Sequence, residues 1–179
     1  AGLINSKGKL VLPVKYAVLI TPFSEGRLRF QEVNNGKYGL MDTSFKVVLA
    51  PFKYDFINEF SEGLSKVSTK DKYGAIDING KLIVPVKYDD ISEITDSMIV
   101  ADSGTVFSLF NYKGIRISSK KYHHIFIAEG IANCHGEGYC DYIRPDGSTI
   151  LTVKPVRYGN LFSEGLAAVS FGADSNFNW

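Results

Sequence analysis

The chain alternates short apolar runs with small polar clusters, and no segment keeps a 3.6-residue hydrophobic period over ten residues. β-branched and aromatic residues dominate the apolar runs, which is typical of strands. In the run Gly63–Ser68, the spacing places Leu64 and Val67 inward. Asn79-Gly80 and Asp146-Gly147 indicate two-residue hairpin turns, because both residue types tolerate positive φ. The pattern therefore predicts many short antiparallel strands.

Three phrases recur in a fixed order along the whole chain. Pro-x-x-Tyr occurs four times, and a fifth copy has Ser119 in place of proline; its tyrosines stand 34–38 residues apart. Phe-Ser-Glu-Gly follows each of three copies, and an aromatic-Gly pair precedes others, as at Tyr38-Gly39 and Tyr73-Gly74. A fixed period of this length indicates a tandem repeat.

We therefore predict an all-β fold built as a tandem array of five modules, each of about 35 residues and about three short antiparallel strands. The array forms a single domain over 1–179, with modules at about 1–37, 38–72, 73–106, 107–139 and 140–179. An open twisted stack is favoured, and a closed five-bladed propeller-like ring is the alternative, since 35 residues is short for a four-stranded blade. Pro51 is expected to end the second strand of its module, and a loop of about ten residues is expected to carry Tyr54.

The recurring aromatic residues are predicted to be structural anchors that pack between modules, since one module is too small to bury its own apolar face. The anchors are Tyr16, Tyr54, Tyr88, Tyr122, Tyr158, Phe23, Phe60 and Phe162. The recurring Glu and Lys residues fit surface pairs between neighbouring modules better than a charged ladder for a repetitive ligand.

These phrases resemble the bacterial WG repeat, whose units carry Trp-Gly, then Asp, Gly-Lys, Pro-x-x-Tyr-Asp and Phe-Ser-Glu-Gly-Leu. The match here includes Tyr73-Gly74, Asp77, Gly80-Lys81 and Tyr88-Asp89, with Tyr, Phe or Cys in place of the family's Trp. The resemblance implies β-rich repeat arrays in bacterial proteins, often secreted or in the cell envelope. It implies no catalytic residues.

Composition narrows the choice of partner. The chain has 179 residues, 45% of them hydrophobic, and a net charge of +1, which argues against disorder. The 20 basic residues are scattered, so nucleic acid is a poor candidate. No apolar run approaches the roughly 20 residues of a membrane span. The chain begins in mid-phrase at Ala1-Gly2, and Trp179 stands near the place of a sixth aromatic. We interpret these ends as those of a mature protein, a fragment of a longer array or an arbitrary boundary.

All histidines and cysteines fall in one short region, where the repeat is also most degraded: His123, His124, Cys134, His135 and Cys140. Alignment with the Lys66–Gly74 hairpin gives Cys134 the place of Val67 and Cys140 that of Gly74, opposite each other. One hypothesis is therefore a disulfide between the two cysteines. A second, weaker hypothesis is a metal site formed by the five residues, although Cys134-x₅-Cys140 matches no common zinc motif. The third is unlinked thiols and surface histidines.

No nucleophile–base pairing, metalloprotease motif or phosphate loop is present, so no catalytic residue and no cofactor is predicted. The favoured function is a non-enzymatic scaffold that binds another protein through an extended β surface. The alternative is a carbohydrate- or cell-wall-binding module with a polysaccharide partner, and an enzyme is the weakest hypothesis. An exposed apolar patch would favour a protein partner, and a groove of exposed Tyr and Trp would favour sugar.

Overall fold

A computed structural model of the chain describes residues 1–33 and 36–171, with the backbone alone at positions 21, 157, 158 and 171. The described residues contain no helix and form nineteen strands. In chain order the strands are β1 (Leu3–Ile4), β2 (Leu10–Leu12), β3 (Tyr16–Ser24), β4 (Arg27–Glu32), β5 (Tyr38–Met41), β6 (Val47–Tyr54), β7 (Phe56–Ile57), β8 (Leu64–Thr69), β9 (Lys72–Asp77), β10 (Leu82–Tyr88), β11 (Asp90–Ile94), β12 (Met98–Asp102), β13 (Phe107–Asn111), β14 (His124–Ala128), β15 (Ile131–Gly136), β16 (Tyr139–Ile143), β17 (Thr149–Val153), β18 (Val156–Gly159) and β19 (Val169–Phe171).

The strands form small antiparallel sheets in chain order. Three sheets have four strands, β3–β6, β7–β10 and β14–β17; one has three, β11–β13; and β1–β2 and β18–β19 are two-stranded. None of these described sheets closes into a barrel. The predicted all-β fold of tandem modules is confirmed, and the separate sheets are consistent with an open stack. The three- and four-stranded sheets begin at or just after a Pro-x-x-Tyr tyrosine, so each of these four sheets joins parts of two sequence repeats.

The chain divides into two compact units, residues 1–91 and 92–179. In the first unit, two apolar clusters lie between successive sheets. One contains Leu12 and Tyr16 with Leu28 and Phe30, and the other joins Tyr54 to residues of the next sheet such as Ile57. The second unit is built in the same way, with one cluster around Tyr122 and another around Tyr142. Each module thus buries its apolar face against its neighbour within the unit.

The prediction that Pro51 ends its strand is wrong. β6 runs through Pro51 as far as Tyr54, which was expected to lie in a loop of about ten residues, and β10 likewise runs through Pro85 as far as Tyr88. Both strands lie at the edge of their sheets, and the register shifts on the proline segment. An edge strand with a bulge tolerates proline because the missing N–H is not needed by a neighbour.

Glycine in the aromatic-Gly pair permits the close approach of that proline strand. A Cβ on Gly39 would lie 2.6 Å from the Leu49 carbonyl oxygen, and one on Gly74 would lie 2.5 Å from that of Val84. Contacts this short with backbone require the strand to move. The glycine is therefore set by packing between strands rather than by φ.

The Phe-Ser-Glu-Gly phrase forms a two-residue turn in which both central residues have positive φ. Glu25 and Gly26 have φ of 46° and 73°, and the pairs at 62–63, 129–130 and 164–165 share this geometry. Such turns match the twist of the hairpin but usually carry Asn or Gly at the first position. A glutamate there is held in a conformation that its side chain disfavours.

Candidate functional site

The carboxylate of Asp141 is fully buried on β16, at the place where other modules carry the glycine of the aromatic-Gly pair. β16 pairs with β17 through Asp141 and Thr152, and the Thr152 hydroxyl donates to Asp141 Oδ1 at 2.5 Å. Tyr122 donates its hydroxyl to Oδ2 at 2.9 Å. A buried carboxylate requires such donors, because transfer out of water is costly for a charge.

Lys120 completes the set of partners. Its Nζ lies 2.7 Å from Asp141 Oδ2, and its side chain remains 50% exposed. The same ammonium group lies 5.1 Å from the centroid of the Tyr139 ring, within cation–π range. The Tyr122 hydroxyl donates its one hydrogen bond to Asp141. It therefore accepts a hydrogen bond from the Ser118 hydroxyl, whose oxygen lies 3.0 Å away. We refer to Asp141, Lys120, Tyr122 and Thr152 as the Asp141 cluster.

Burial and the neighbouring carboxylate change the acidity of the surrounding groups. Desolvation raises the pKa of Tyr122 well above its usual range, and the hydrogen bond to Asp141 and the charge of that carboxylate add to this effect, whereas the hydrogen bond from Ser118 opposes it. Desolvation also raises the pKa of Tyr139, and the Asp141 charge adds to this effect. Both phenols therefore stay protonated at neutral pH, so they can act as hydrogen-bond donors rather than as bases.

A surface cavity of about 350 Å³ adjoins the Asp141 cluster. It is lined by Lys120, Tyr139, Thr152 and Lys154. Of the described residues that line the cavity, two carry ammonium groups and none carries a carboxylate, so this part of the wall is cationic. The arrangement can bind an anion.

A model of the WG containing repeat matches residues 2–38, 38–73 and 73–101, more than half of the chain. The chain belongs to the WG repeat family. The recurring aspartate of the WG repeat has a clear structural role here: Asp42 Oδ1 accepts from the amides of Ser44 and Lys46, and Asp77 Oδ1 does the same for Asn79 and Lys81. The Asp141 cluster lies beyond the matched residues.

No curated protein matches the chain significantly. Similar solved structures include two of Kluyveromyces lactis Hsv2. One, with the complete loop 6CD, has 15% identity, a TM-score of 0.42 and coverage of 88% of this chain and 56% of that chain. The other, of Hsv2p, has 17% identity, a TM-score of 0.42 and coverage of 86% and 57%. The AfRom2 CNH domain has 9% identity, a TM-score of 0.32 and coverage of 97% and 67%. The chain thus spans a little over half of the Hsv2 chains, and likeness at this level supports no functional argument.

The expected alignment of the two cysteines in this WG repeat is wrong by one residue. Cys134 stands opposite Asp141, and Cys140 stands opposite His135. Neighbouring positions along a strand face opposite sides of the sheet, so Cys134 and Cys140 lie in different apolar clusters. Both thiols are free and buried, and this placement does not bring them together for a disulfide.

The histidines are placed around the same sheet without forming a metal centre. His124 and His135 stand opposite each other on β14 and β15, and His135 Nε2 lies 3.9 Å from Cys140 Sγ. His123 and His124 are exposed, and the His124 ring stacks on Phe126. Among the residues that the structure describes, no group of three or more His, Cys, Asp or Glu side chains could hold a metal ion. Desolvation lowers the pKa of His135, and charge repulsion from His124 adds to this effect.

The anchor residues mostly lie in the interior. Tyr16, Tyr54, Tyr88 and Tyr122 are buried, as is Phe60, whereas Phe23 and Phe162 are half-buried. The side chain of Tyr158 and all of Trp179 lie outside the described residues. The lysine before each of three anchors extends over the following ring, with Nζ 5.1–5.5 Å from the centroids of Tyr16, Tyr54 and Tyr88.

Two of the recurring glutamates, Glu25 and Glu129, accept hydrogen bonds from backbone amides of the next module. Glu25 Oε2 accepts from Gly63 N at 2.8 Å, and Glu129 accepts from the amides of Glu164 and Gly165 at 2.5 and 2.9 Å. Sequence reasoning missed this contact and the Asp141 cluster. A carboxylate at the place of a recurring glycine was the visible sign of the cluster, since Cys140-Asp141 replaces Tyr-Gly.

Proposed function

We propose that the chain is a non-enzymatic repeat scaffold that binds another protein through the exposed edges of its sheets. Membership of the WG repeat family and the stacked β modules support a scaffold or binding module. The choice of a protein partner depends on where the exposed apolar side chains lie.

The exposed large apolar side chains that occur within described strands all lie on strands with a single neighbour. In the first unit they include Phe52 on β6, which is 73% exposed, and Ile4 on β1, which is 69% exposed. Leu10 stands opposite Ile4 and is also exposed, so the two side chains share one face. The second unit repeats the pattern with Phe126 on β14 and Leu151 on β17. Exposed apolar groups of this kind favour contact with a protein surface.

Sheet edges also offer unpaired backbone groups that another strand can use. The rows of unpaired backbone groups on the edge strands are interrupted by a proline and a lysine, at Pro51 and Lys53 on β6 and at Pro85 and Lys87 on β10. Such residues commonly protect an edge strand against pairing with strands of other molecules. Recognition at β6 would therefore depend mainly on the side chain of Phe52.

A carbohydrate-binding module is the weaker alternative. Sugar binding commonly uses exposed aromatic faces. Among the described tyrosine side chains only Tyr112 is exposed, with 51% of its surface accessible to solvent. The recurring tyrosines lie in the core between sheets, where no sugar could stack on them.

The proposal is tested by comparing Phe52→Asp with Asn79→Asp. Both variants add one negative charge at an exposed position, but only the first removes an apolar side chain. Immobilised wild type and both variants are exposed to an extract of the source organism, and bound proteins are quantified by mass spectrometry. We expect a protein that is retained by wild type and by Asn79→Asp and is depleted about tenfold by Phe52→Asp.

A glycan array with the same three proteins covers the alternative. Retention of a glycan, with no protein that distinguishes Phe52→Asp from the control, would overturn the proposed protein partner. Circular dichroism of each variant confirms that the β structure is retained.

A further inference from the structure

The cavity beside the Asp141 cluster is formed by residues that do not follow the pattern of the other modules. Two other modules carry Gly39 and Gly74 at the place of Asp141, and the packing of those modules requires no carboxylate there. A buried ion pair seldom adds stability over an apolar replacement. The presence of Asp141 therefore needs another reason, and Lys120 is its one charged partner among the described residues.

Asp141 holds the ammonium group of Lys120 in one place. An exposed lysine normally samples many rotamers, but here Nζ is bound to Oδ2 at 2.7 Å and lies over the Tyr139 ring. The carboxylate is inside the sheet and fully buried, whereas half of the lysine side chain faces solvent at the cavity. The pair thus presents a fixed cation to the cavity while its counter-ion stays behind it.

Lys154 supplies a second cation on the cavity wall. Its side chain is exposed, and no ion pair of Lys154 occurs within the described part of the chain. With Asp141 behind Lys120, the two lysines and one carboxylate leave a net charge of +1. An anionic ligand would balance this charge, and a volume of about 350 Å³ lies in the range of small-molecule sites.

The remaining lining groups define the rest of the ligand. The Thr152 hydroxyl donates its hydrogen bond to Asp141, so its oxygen can accept a hydrogen bond from a ligand hydroxyl. Tyr139 is half-buried, and its hydroxyl donates to the Lys121 carbonyl oxygen, which leaves mainly ring surface for contact. We infer that this cavity binds a small hydroxylated carboxylate, of the size and polarity of a single sugar acid. This inference is independent of the proposed protein partner.

The test uses D-glucuronate as the probe in an NMR titration of the ¹⁵N-labelled full chain. We expect shifts at the amides of Lys120, Tyr139, Thr152 and Lys154, with saturation in the millimolar range. Lys154→Met should raise the Kd about fivefold, because it removes an exposed cation without disturbing the buried carboxylate. Lys121→Met is the matched control: it removes the same charge from a neighbouring exposed lysine that does not line the cavity.

Two further probes separate the parts of the inference. D-glucose has the hydroxyl groups without the carboxylate, and inorganic phosphate has the charge without the sugar ring. Weaker shifts with both than with glucuronate would support a hydroxylated carboxylate. Equal affinity for glucose, stronger binding of phosphate, an unchanged Kd in Lys154→Met, or no shift at the four lining residues would each overturn it.

Discussion

The acid–base state of single residues in the β14–β17 sheet follows from their burial. Cys134 occupies the place of Val67 and packs among apolar side chains, so desolvation, with the Asp141 charge, raises the pKa of its thiol well above the usual range. The same causes raise the pKa of Cys140 to about 11. Thiols of this kind are inert at neutral pH, since the thiolate is the reactive form.

Replacing Cys134 with valine should remove part of the alkaline sensitivity of the protein. Above the ordinary thiol pKa of 9.0, the unfolded chain loses this proton while the folded chain keeps it. The folded state then binds more protons, so the free energy of unfolding falls with pH, by about 1.4 kcal/mol per pH unit for one thiol. In Cys134→Val this contribution is absent.

Urea denaturation at pH 7, 9 and 10 measures the difference. The free energies of unfolding of wild type and Cys134→Val should differ by a constant amount up to pH 9 and diverge in favour of the variant above it. Tyr122, whose phenol also has a raised pKa, is present in both proteins and cancels. Parallel curves up to pH 10 would contradict the assignment.

At the scale of strands and turns, the sequence predicts the type of each element well and the contacts between elements poorly. Asn79-Gly80 lies in a turn as expected, but Gly80 has positive φ and Asn79 does not, so the turn is not the two-residue type that the sequence indicates. The continuation of β6 through Pro51 could not be predicted, since it depends on the strand lying at an edge. The one-residue error at Cys140 has another cause. The β8–β9 and β15–β16 hairpins both have a two-residue turn and the same register, but Cys140 follows Cys134 by one residue less than Gly74 follows Val67, so Asp141 takes the place of Gly74.

The hydrogen bonds from Glu129 to the following Glu-Gly turn could not be predicted from the sequence. A repeated glutamate in a turn is indistinguishable from a solvated charge until the next module is placed beside it. Glu129 has a φ of 50°, which is strained for a residue other than glycine. A glutamate at this position is therefore explained by the contact of its side chain rather than by the conformation of the turn.

Replacing Glu129 with glutamine should destabilise the second unit by about 1–2 kcal/mol, because charge-assisted hydrogen bonds to the amides of Glu164 and Gly165 become weaker or are lost. Glu137→Gln is the control, since it makes the same charge change at an exposed turn residue of the same sheet. Thermal denaturation by circular dichroism gives the comparison. An equal shift in Tm for both variants would mean that the carboxylate contributes only its net charge.

At the scale of the whole molecule, stability is distributed among clusters that each join neighbouring sheets. Leu40 belongs to a cluster of the first unit and Leu109 to one of the second, and both are fully buried. In repeat architectures, modules contact mainly their neighbours, so damage should remain local.

Leu40→Ala and Leu109→Ala form a reciprocal pair for testing this locality. Each substitution should cost about 2–5 kcal/mol by leaving a cavity in its cluster. Hydrogen exchange followed by mass spectrometry should show lost protection mainly in residues 1–91 for Leu40→Ala and mainly in residues 92–171 for Leu109→Ala. Uniform loss of protection along the chain in both variants would show that the two units unfold as one.

The carboxylate that reaches forward from one Glu-Gly turn to the amides of the next has a consequence for how such proteins diverge. Glu25 and Glu129 make this contact at sequence separations of 38 and 35–36 residues, so the junction tolerates small changes in module length. At these two junctions, a Glu-Gly turn supplies the acceptor and the Glu-Gly turn of the following copy supplies the donors. Duplication of a copy that has this Glu-Gly turn would therefore bring both an acceptor and a donor to the new junction.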